Sequence, residues 1–143
     1  MKEVSDFMKS PIEGIRIFTD EENLAVIQAE IDGPADTPFY NGVFRLRICF
    51  DSDFPSSPPK AWFLSRIFHP NISAKGEVCV NTLKKDWSPE LGLKHILLVI
   101  RCLLIQPNPE SALNEDAGMV LHLLTAAVCI LIRHDHLDLA LTK

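Results

Sequence analysis

Residues 43–50 alternate between apolar and polar side chains, and this alternation constrains the fold more than any other feature of the sequence. Successive side chains of a β-strand point to opposite faces of a sheet, so a period of two residues is typical of a strand that is buried on one face. We therefore predict a half-buried strand of an antiparallel sheet. Its buried face carries Phe44, Leu46, Ile48 and Phe50, and its other face carries Arg45, Arg47 and Cys49.

Three more strands are predicted on either side of this one, at residues 14–18, 24–31 and 61–65. Turn-forming residues separate the first two of them. The proline-rich stretch 54–59 is excluded from a central strand, because proline has no backbone N–H to donate. Four consecutive strands with short connections predict an antiparallel meander.

Helical patterns lie at both ends of the chain. A short helix is expected at residues 2–9, and it depends on tertiary packing because an isolated helix of that length is unstable. A central helix at 90–105 is apolar almost all round, with only Lys94 and Arg101 as a polar stripe, so we expect it to be largely buried. A strongly apolar C-terminal helix is predicted at 112–132. The predicted class is α+β.

Length and charge limit the possible functions. The 143 residues fit one domain over 1–143, and 47% hydrophobic residues suffice for a core. The net charge of −5 argues against a nucleic-acid partner. Residues 1–14 lack the apolar run of a signal peptide, which predicts a cytoplasmic or nuclear protein with free thiols. The cysteines form no C-x-x-C pair, so no metal site is predicted. Cys49, Cys102 and Cys129 are expected as small apolar residues, and Cys79 as the reactive one.

Cys79 lies in a polar segment, 69–89, that has little periodicity and therefore is expected to hold the functional site. A thiolate is nucleophilic enough to hold an acyl group and also releases it readily. The carboxamide of Asn71 offers an N–H donor for the oxyanion that forms when an amine attacks a thioester. The other interpretation of Asn71 is a side chain that ties its own loop to the backbone.

His69 admits two interpretations as well. A histidine near a cysteine can be the base of a thiol hydrolase, with the cysteine as the nucleophile. The alternative is a loop histidine that is hydrogen-bonded to backbone. The residue before a proline is held extended or in a turn, and this favours the second interpretation.

The motif around Cys79 resembles that of the ubiquitin-conjugating enzymes. His69-Pro70-Asn71 lies ten residues before Cys79, and Trp87-Ser88-Pro89 begins eight residues after it. Two flanking motifs agree, Phe54-Pro55-x-x-Pro58-Pro59-Lys60 and Pro107-Asn108-Pro109. Residues 61–64 and 109–115 are similar to the S type, whose members elongate ubiquitin chains. The resemblance covers residues 10–118.

This resemblance implies a fold, a reaction and a set of partners. Cys79 would take ubiquitin from an activating enzyme, which uses the ATP, and would pass it to a lysine of a protein substrate with a ligase. No cofactor would be bound, and neither nucleic acid nor a membrane is an expected partner. Phe63, Ser88 and Pro89 match the positions that contact ligase and activating enzyme. Cys102 matches a helix position that borders the donor ubiquitin.

Two features depart from the family. Many relatives place an aspartate after Pro109 to orient and deprotonate the lysine, and by spacing that position is Ser111 here. Either Glu115 replaces it, or the ubiquitin substrate supplies the acid, which would make transfer selective for a lysine beside a carboxylate. The first helix is short, and the apolar run 119–132 replaces the usual helices after Gly118. The altered ends leave a second hypothesis: a catalytically weak module of the same fold that binds ubiquitin or ligases.

Overall fold

The computed structural model describes residues 2–19 and 23–120, apart from the side chain of Pro109. In these ranges four strands and several helices confirm the predicted α+β class. The elements are α1 (Lys2–Lys9), β1 (Ile15–Thr19), β2 (Val26–Asp32), β3 (Val43–Cys49), β4 (Lys60–Phe63), α2 (Val80–Lys84), α3 (Gly92–Ile105), a 3-10 turn (Pro109–Ser111) and a helical segment at 115–120.

The strands form one antiparallel sheet in the order β1-β2-β3-β4, which confirms the predicted meander. Alternate residues of β3 are buried as the periodicity predicts, with Leu46 and Ile48 fully covered. Leu46 lies opposite Ala29 on one side and Phe63 on the other, so one row of buried side chains crosses the sheet. These side chains and the buried side of α3 form a single hydrophobic core.

Helix α3 differs from its prediction in what it exposes. Lys94 and Arg101 form the polar stripe that the sequence predicts, but this stripe does not face solvent. Both side chains are half-buried against the N-terminal segment. The Lys94 ammonium donates to the Ser10 hydroxyl at 2.9 Å, and the Arg101 guanidinium donates to the Glu13 carbonyl at 2.6 Å. Solvent instead meets an apolar stripe, formed by Leu98, Cys102 and Ile105. Cys102, expected at the core or its boundary, is exposed.

The short helix α1 has the predicted bounds and is held by α3. Phe7 is buried in the core. The Glu3 carboxylate accepts a hydrogen bond of 2.7 Å from the backbone N–H of Leu93, in the first turn of α3. That N–H has no partner within its own helix, and a negative charge is favourable at this end of a helix. The two contacts supply the tertiary support that an eight-residue helix needs.

The described residues include only the first part of the C-terminal helix predicted at 112–132. Residues 115–120 are helical, within the predicted 112–132. Met119 and Val120 are exposed, and the rest of the apolar run 119–132 lies outside the described residues. Within the described ranges, no helix has the length and apolar character needed to cross a membrane. Those ranges also contain no group of three or more His, Cys, Asp or Glu arranged to hold a metal ion.

The close contact between α1 and α3 predicts the effect of a substitution at Gly92. This residue has φ of +65°, and a Cβ there would collide with the Glu3 carboxylate. We expect Gly92→Ala to lower the free energy of unfolding by about 1–3 kcal/mol, measured by urea denaturation. Gly118→Ala is the control, because its Cβ would lie at 3.8 Å from the Ala112 Cβ, an ordinary contact, in a helical segment. Equal effects of the two substitutions would contradict the assigned contact.

Candidate functional site

The segment that carries Cys79 is an extension of the sheet. The Val78 N–H donates to the Ala61 carbonyl at 3.0 Å, and the Phe63 N–H donates to the Gly76 carbonyl at 2.8 Å. Gly76 has φ of +87°, and a Cβ there would collide with the carbonyl of Phe63. Only glycine allows this close approach to β4. The edge of the sheet thus fixes the position of the cysteine segment.

Residues 71–79 form a narrow hairpin that brings Asn71 opposite Cys79. Ile72 and Val78 form an antiparallel bridge, and the Cys79 N–H donates to the Asn71 carbonyl at 3.0 Å. Directly opposed residues in an antiparallel pair have side chains on the same face, with Cβ atoms about 4.5–5.5 Å apart. The motif spacing of eight residues therefore puts the side chains of Asn71 and Cys79 on one face of the hairpin. Cys79 itself is 4% exposed and immediately precedes α2.

The carboxamide of Asn71 is completely hydrogen-bonded. Its Nδ2 donates to the carbonyl of Asn108 at 2.6 Å and to the carbonyl of Ser111 at 2.9 Å. Its Oδ1 accepts from the Asn108 N–H at 2.8 Å. These partners are two carbonyls and one N–H, so the orientation of the amide is unambiguous. The structure supports the loop-tying interpretation of Asn71, and the oxyanion role stays a prediction.

His69 is fully buried, and both ring nitrogens are occupied. Nε2 lies 2.8 Å from the Leu103 carbonyl in α3, and Nδ1 accepts from the Asn71 N–H at 3.0 Å. The two partners require the neutral tautomer that carries its proton on Nε2. Burial lowers the pKa of this histidine and so maintains the neutral form. The prediction of a backbone-bonded loop histidine is confirmed, and no nitrogen remains to deprotonate Cys79 as a hydrolase requires.

Pro70 completes the attachment of the loop that follows α3. Its carbonyl accepts from the N–H groups of Leu113 and Asn114, at 2.7 and 3.0 Å. The turn at 69–71 therefore contacts three parts of the chain: α3 through His69, residues 113–114 through Pro70, and residues 108–111 through Asn71. The loop from 107 to 114 is thereby held against the turn whose last residue, Asn71, pairs with Cys79.

Ser111 and Glu115, the two candidates for handling the lysine proton, lie in and just after this loop. Ser111 is half-buried in the 3-10 turn, with its carbonyl bound to Asn71. Glu115 is exposed in the first turn of the 115–120 segment. The side chain of Asn114 caps that turn by accepting from the Ala117 N–H at 3.1 Å.

The four residues matched to partner contacts differ in accessibility. Phe63 is only 4% exposed, because its pairing with Leu46 directs it to the buried face of the sheet. In this conformation it offers no contact area to a partner. Pro89 and Cys102 are exposed, and Ser88 is half-buried beside Glu90, whose pKa it lowers by hydrogen bonding to the carboxylate.

Two features of the site were not predicted from the sequence. Helix α2 begins directly after Cys79 in a segment that was predicted to be irregular. Asn108 was treated only as part of a flanking motif, yet its backbone holds the carboxamide of Asn71 and its side chain caps the 3-10 turn. An asparagine directly before a proline at the first helical position is a recognisable capping signal.

Comparison with known proteins gives a consistent family. A family model described as ubiquitin-conjugating enzyme matches residues 1–124. Proteins called Ubiquitin-conjugating enzyme E2 S from Drosophila mojavensis, Drosophila grimshawi and Drosophila virilis are each 60% identical to this chain over 121 residues. The similarity covers 85% of this chain and 58–59% of those relatives. The chain thus spans less than two thirds of the length of the curated relatives it matches.

The buried histidine predicts how stability depends on pH. Because the pKa of folded His69 is lowered, the unfolded chain takes up a proton near pH 6.5 that the folded chain resists, and stability falls as the pH decreases from there. One proton contributes at most about 1.4 kcal/mol for each pH unit. In His69→Gln, whose amide still donates to Leu103, we expect a shallower fall between pH 7.5 and 5.5 in urea denaturation. Parallel curves for the two proteins would contradict the assignment.

Proposed function

The chain belongs to the ubiquitin-conjugating enzyme family, and on that premise we propose that it is an active transferase. Cys79 accepts ubiquitin from an activating enzyme as a thioester and passes it to a lysine amine. The observation that carries this proposal is the hairpin that pairs Cys79 with Asn71 on one face. The loop at 107–114 is hydrogen-bonded to Pro70 and Asn71, in the turn that pairs with Cys79.

The chemistry needs a thiol that can be loaded and then displaced. In loading, the Cys79 sulfur displaces another thiol from the C-terminal carbonyl of ubiquitin. In transfer, the lysine nitrogen attacks that carbonyl and Cys79 leaves as the thiolate. A thiolate serves in both steps because it is a good nucleophile and also a good leaving group. ATP is consumed by the activating enzyme, and the proposal requires no cofactor on this chain.

The partners would meet different faces of the molecule. Pro89, one of the positions that the family relationship assigns to contacts with ligase and activating enzyme, is exposed, and the apolar side chains of Leu64 and Phe68 are exposed as well. The exposed stripe of Leu98, Cys102 and Ile105 on α3 provides an apolar surface for the donor ubiquitin. Chain elongation, the activity of the S type, would make a second ubiquitin the acceptor, and the cytoplasm or nucleus is the proposed location.

A second candidate function is a binding module of the same fold with little catalytic activity. The observation that favours it is the carboxamide of Asn71, whose two N–H groups are both bound to carbonyls of the 108–111 loop. A site whose oxyanion donor is occupied would transfer slowly. Retention of the cysteine on the shared face favours the enzyme.

The proposed function first predicts that Cys79 forms a thioester with ubiquitin. With activating enzyme, ubiquitin and ATP, we expect a product one ubiquitin heavier that disappears under reductant on a denaturing gel. In Cys79→Ser the product becomes an oxygen ester and resists reductant. The control is Cys102→Ser, which removes an exposed thiol and leaves the reductant-sensitive product. Failure to load a protein shown to be folded would contradict the enzyme and leave the binding module.

The proposed function also predicts that the enzyme discriminates between ubiquitin and free lysine as acceptors. Ser111 lacks the carboxylate that would deprotonate a free lysine, so we expect the preformed thioester to transfer to ubiquitin faster than to free lysine. Ser111→Asp should raise discharge to free lysine about tenfold or more, since a positioned base contributes about 10²–10⁴-fold. Glu115→Gln separates the two sources of the acid: it lowers discharge to both acceptors if Glu115 is the base. Equal rates to both acceptors in the unmodified protein would contradict acid supplied by the substrate.

A further inference from the structure

Asn71 has no free N–H group with which to stabilise the oxyanion. An asparagine carboxamide has two N–H groups, and both of those of Asn71 point to backbone carbonyls at 2.6 and 2.9 Å. Releasing one of them leaves a carbonyl of the part-buried loop unpaired, a cost of about 1–3 kcal/mol. A donor that is not already committed would avoid this cost.

Asn108 supplies such a donor at the same place. Its N–H and its carbonyl both bind the carboxamide of Asn71, at 2.8 and 2.6 Å, so its backbone lies at the tip of the side chain that Cys79 faces. No other described side chain with a carboxamide is tied to Asn71 in this way. Asn108 is half-buried, so part of the residue remains open to solvent.

The orientation of the Asn108 carboxamide is fixed by its oxygen. Oδ1 accepts from the Glu110 N–H at 3.0 Å and caps the 3-10 turn. The amide nitrogen must then point away from that turn's N–H. Its one described contact is the Ser111 hydroxyl at 3.5 Å, the outer limit of a hydrogen bond. At least one of its two N–H groups is thus uncommitted.

We propose that Asn108 is a catalytic residue whose side-chain N–H donates to the oxyanion during transfer, with Asn71 as the positioning residue that holds it there. The inference rests on the proposed function. The lysine nitrogen bonds to the thioester carbon while the carbonyl π electrons move to oxygen, and the Asn108 N–H stabilises that charge. The oxyanion electrons then re-form the carbonyl as the C–S bond breaks, the C–S bonding pair leaves with the Cys79 sulfur, and the ammonium proton passes to solvent or a base. The products are an amide and the Cys79 thiolate.

Asn108→Asp is the informative substitution. It keeps the oxygen that caps Glu110 and nearly the same volume, but it replaces both N–H donors by an acceptor. Asn108→Ser also keeps a capping oxygen, without the negative charge. The measurement is single-turnover discharge of the preformed Cys79 thioester to lysine. We expect both variants to load with ubiquitin and to discharge about 100-fold more slowly at saturating lysine, with little change in the lysine KM.

Asn114→Asp is the matched control, because it places the same charge on the same loop and keeps a cap on Ala117. It should discharge within a few-fold of the unmodified protein. Alkylation of Cys79 by iodoacetamide forms no oxyanion, so its rate should be unchanged in Asn108→Ser, which places no charge near the thiol. A similar slowing of alkylation and discharge would mean that Asn108 acts only on the structure of the site, and the proposal would be overturned.

Three other results would overturn it as well. They are an unchanged discharge rate in both Asn108 variants, slowing in Asn108→Asp alone, and equal slowing in Asn114→Asp. The last two would identify charge as the cause. Failure of the proposed function is distinguishable, because the unmodified protein would then form no thioester.

Discussion

The carboxamide of Asn71 is the interaction on which the site depends. Its three hydrogen bonds join the hairpin of Cys79 to the loop that follows α3. These two segments are nearly 40 residues apart in the chain, and neither has an apolar pattern that would fix its position alone. The buried carboxamide fixes the two segments relative to each other, because moving either one would leave a buried polar group without its hydrogen-bond partner.

The neighbours of Asn71 reinforce the same arrangement. His69 is held neutral between α3 and the Asn71 backbone, and the Pro70 carbonyl accepts from residues 113 and 114. The three residues of the turn therefore serve as supports for the loop, and in the described conformation they have little capacity left for chemistry. This division explains how a site can be rigid and still reactive: the committed amide of Asn71 positions, while the partly free amide of Asn108 is available to the reacting group.

Much of the fold could be predicted from the sequence, because the period-two pattern of a strand and the residues that form turns are local signals. The bounds of α1 agree, and each strand agrees within a residue or two. The sequence did not predict the exposure of side chains whose surroundings are set by contacts between distant parts of the chain. Phe63 is buried because its register places it opposite Leu46, and Leu98 and Ile105 are exposed although the helix is apolar on nearly all sides. Cys79 and Asn71 were identified from their motif, but the bonds of Asn71 to a remote loop have no local signal.

Hydrogen exchange at the backbone amide of Asn108 measures whether Asn71 holds the loop, since this N–H donates to the Asn71 oxygen at 2.8 Å. If Asn71 holds the loop, Asn71→Ala accelerates exchange at Asn108 strongly, while the amide of Ile48, in the middle of the sheet, exchanges as before. Asn71→Asp keeps the accepting oxygen and should preserve more of the protection at Asn108. Unchanged protection of Asn108 in Asn71→Ala would show that the loop is held by other means and that Asn71 does not organise the site.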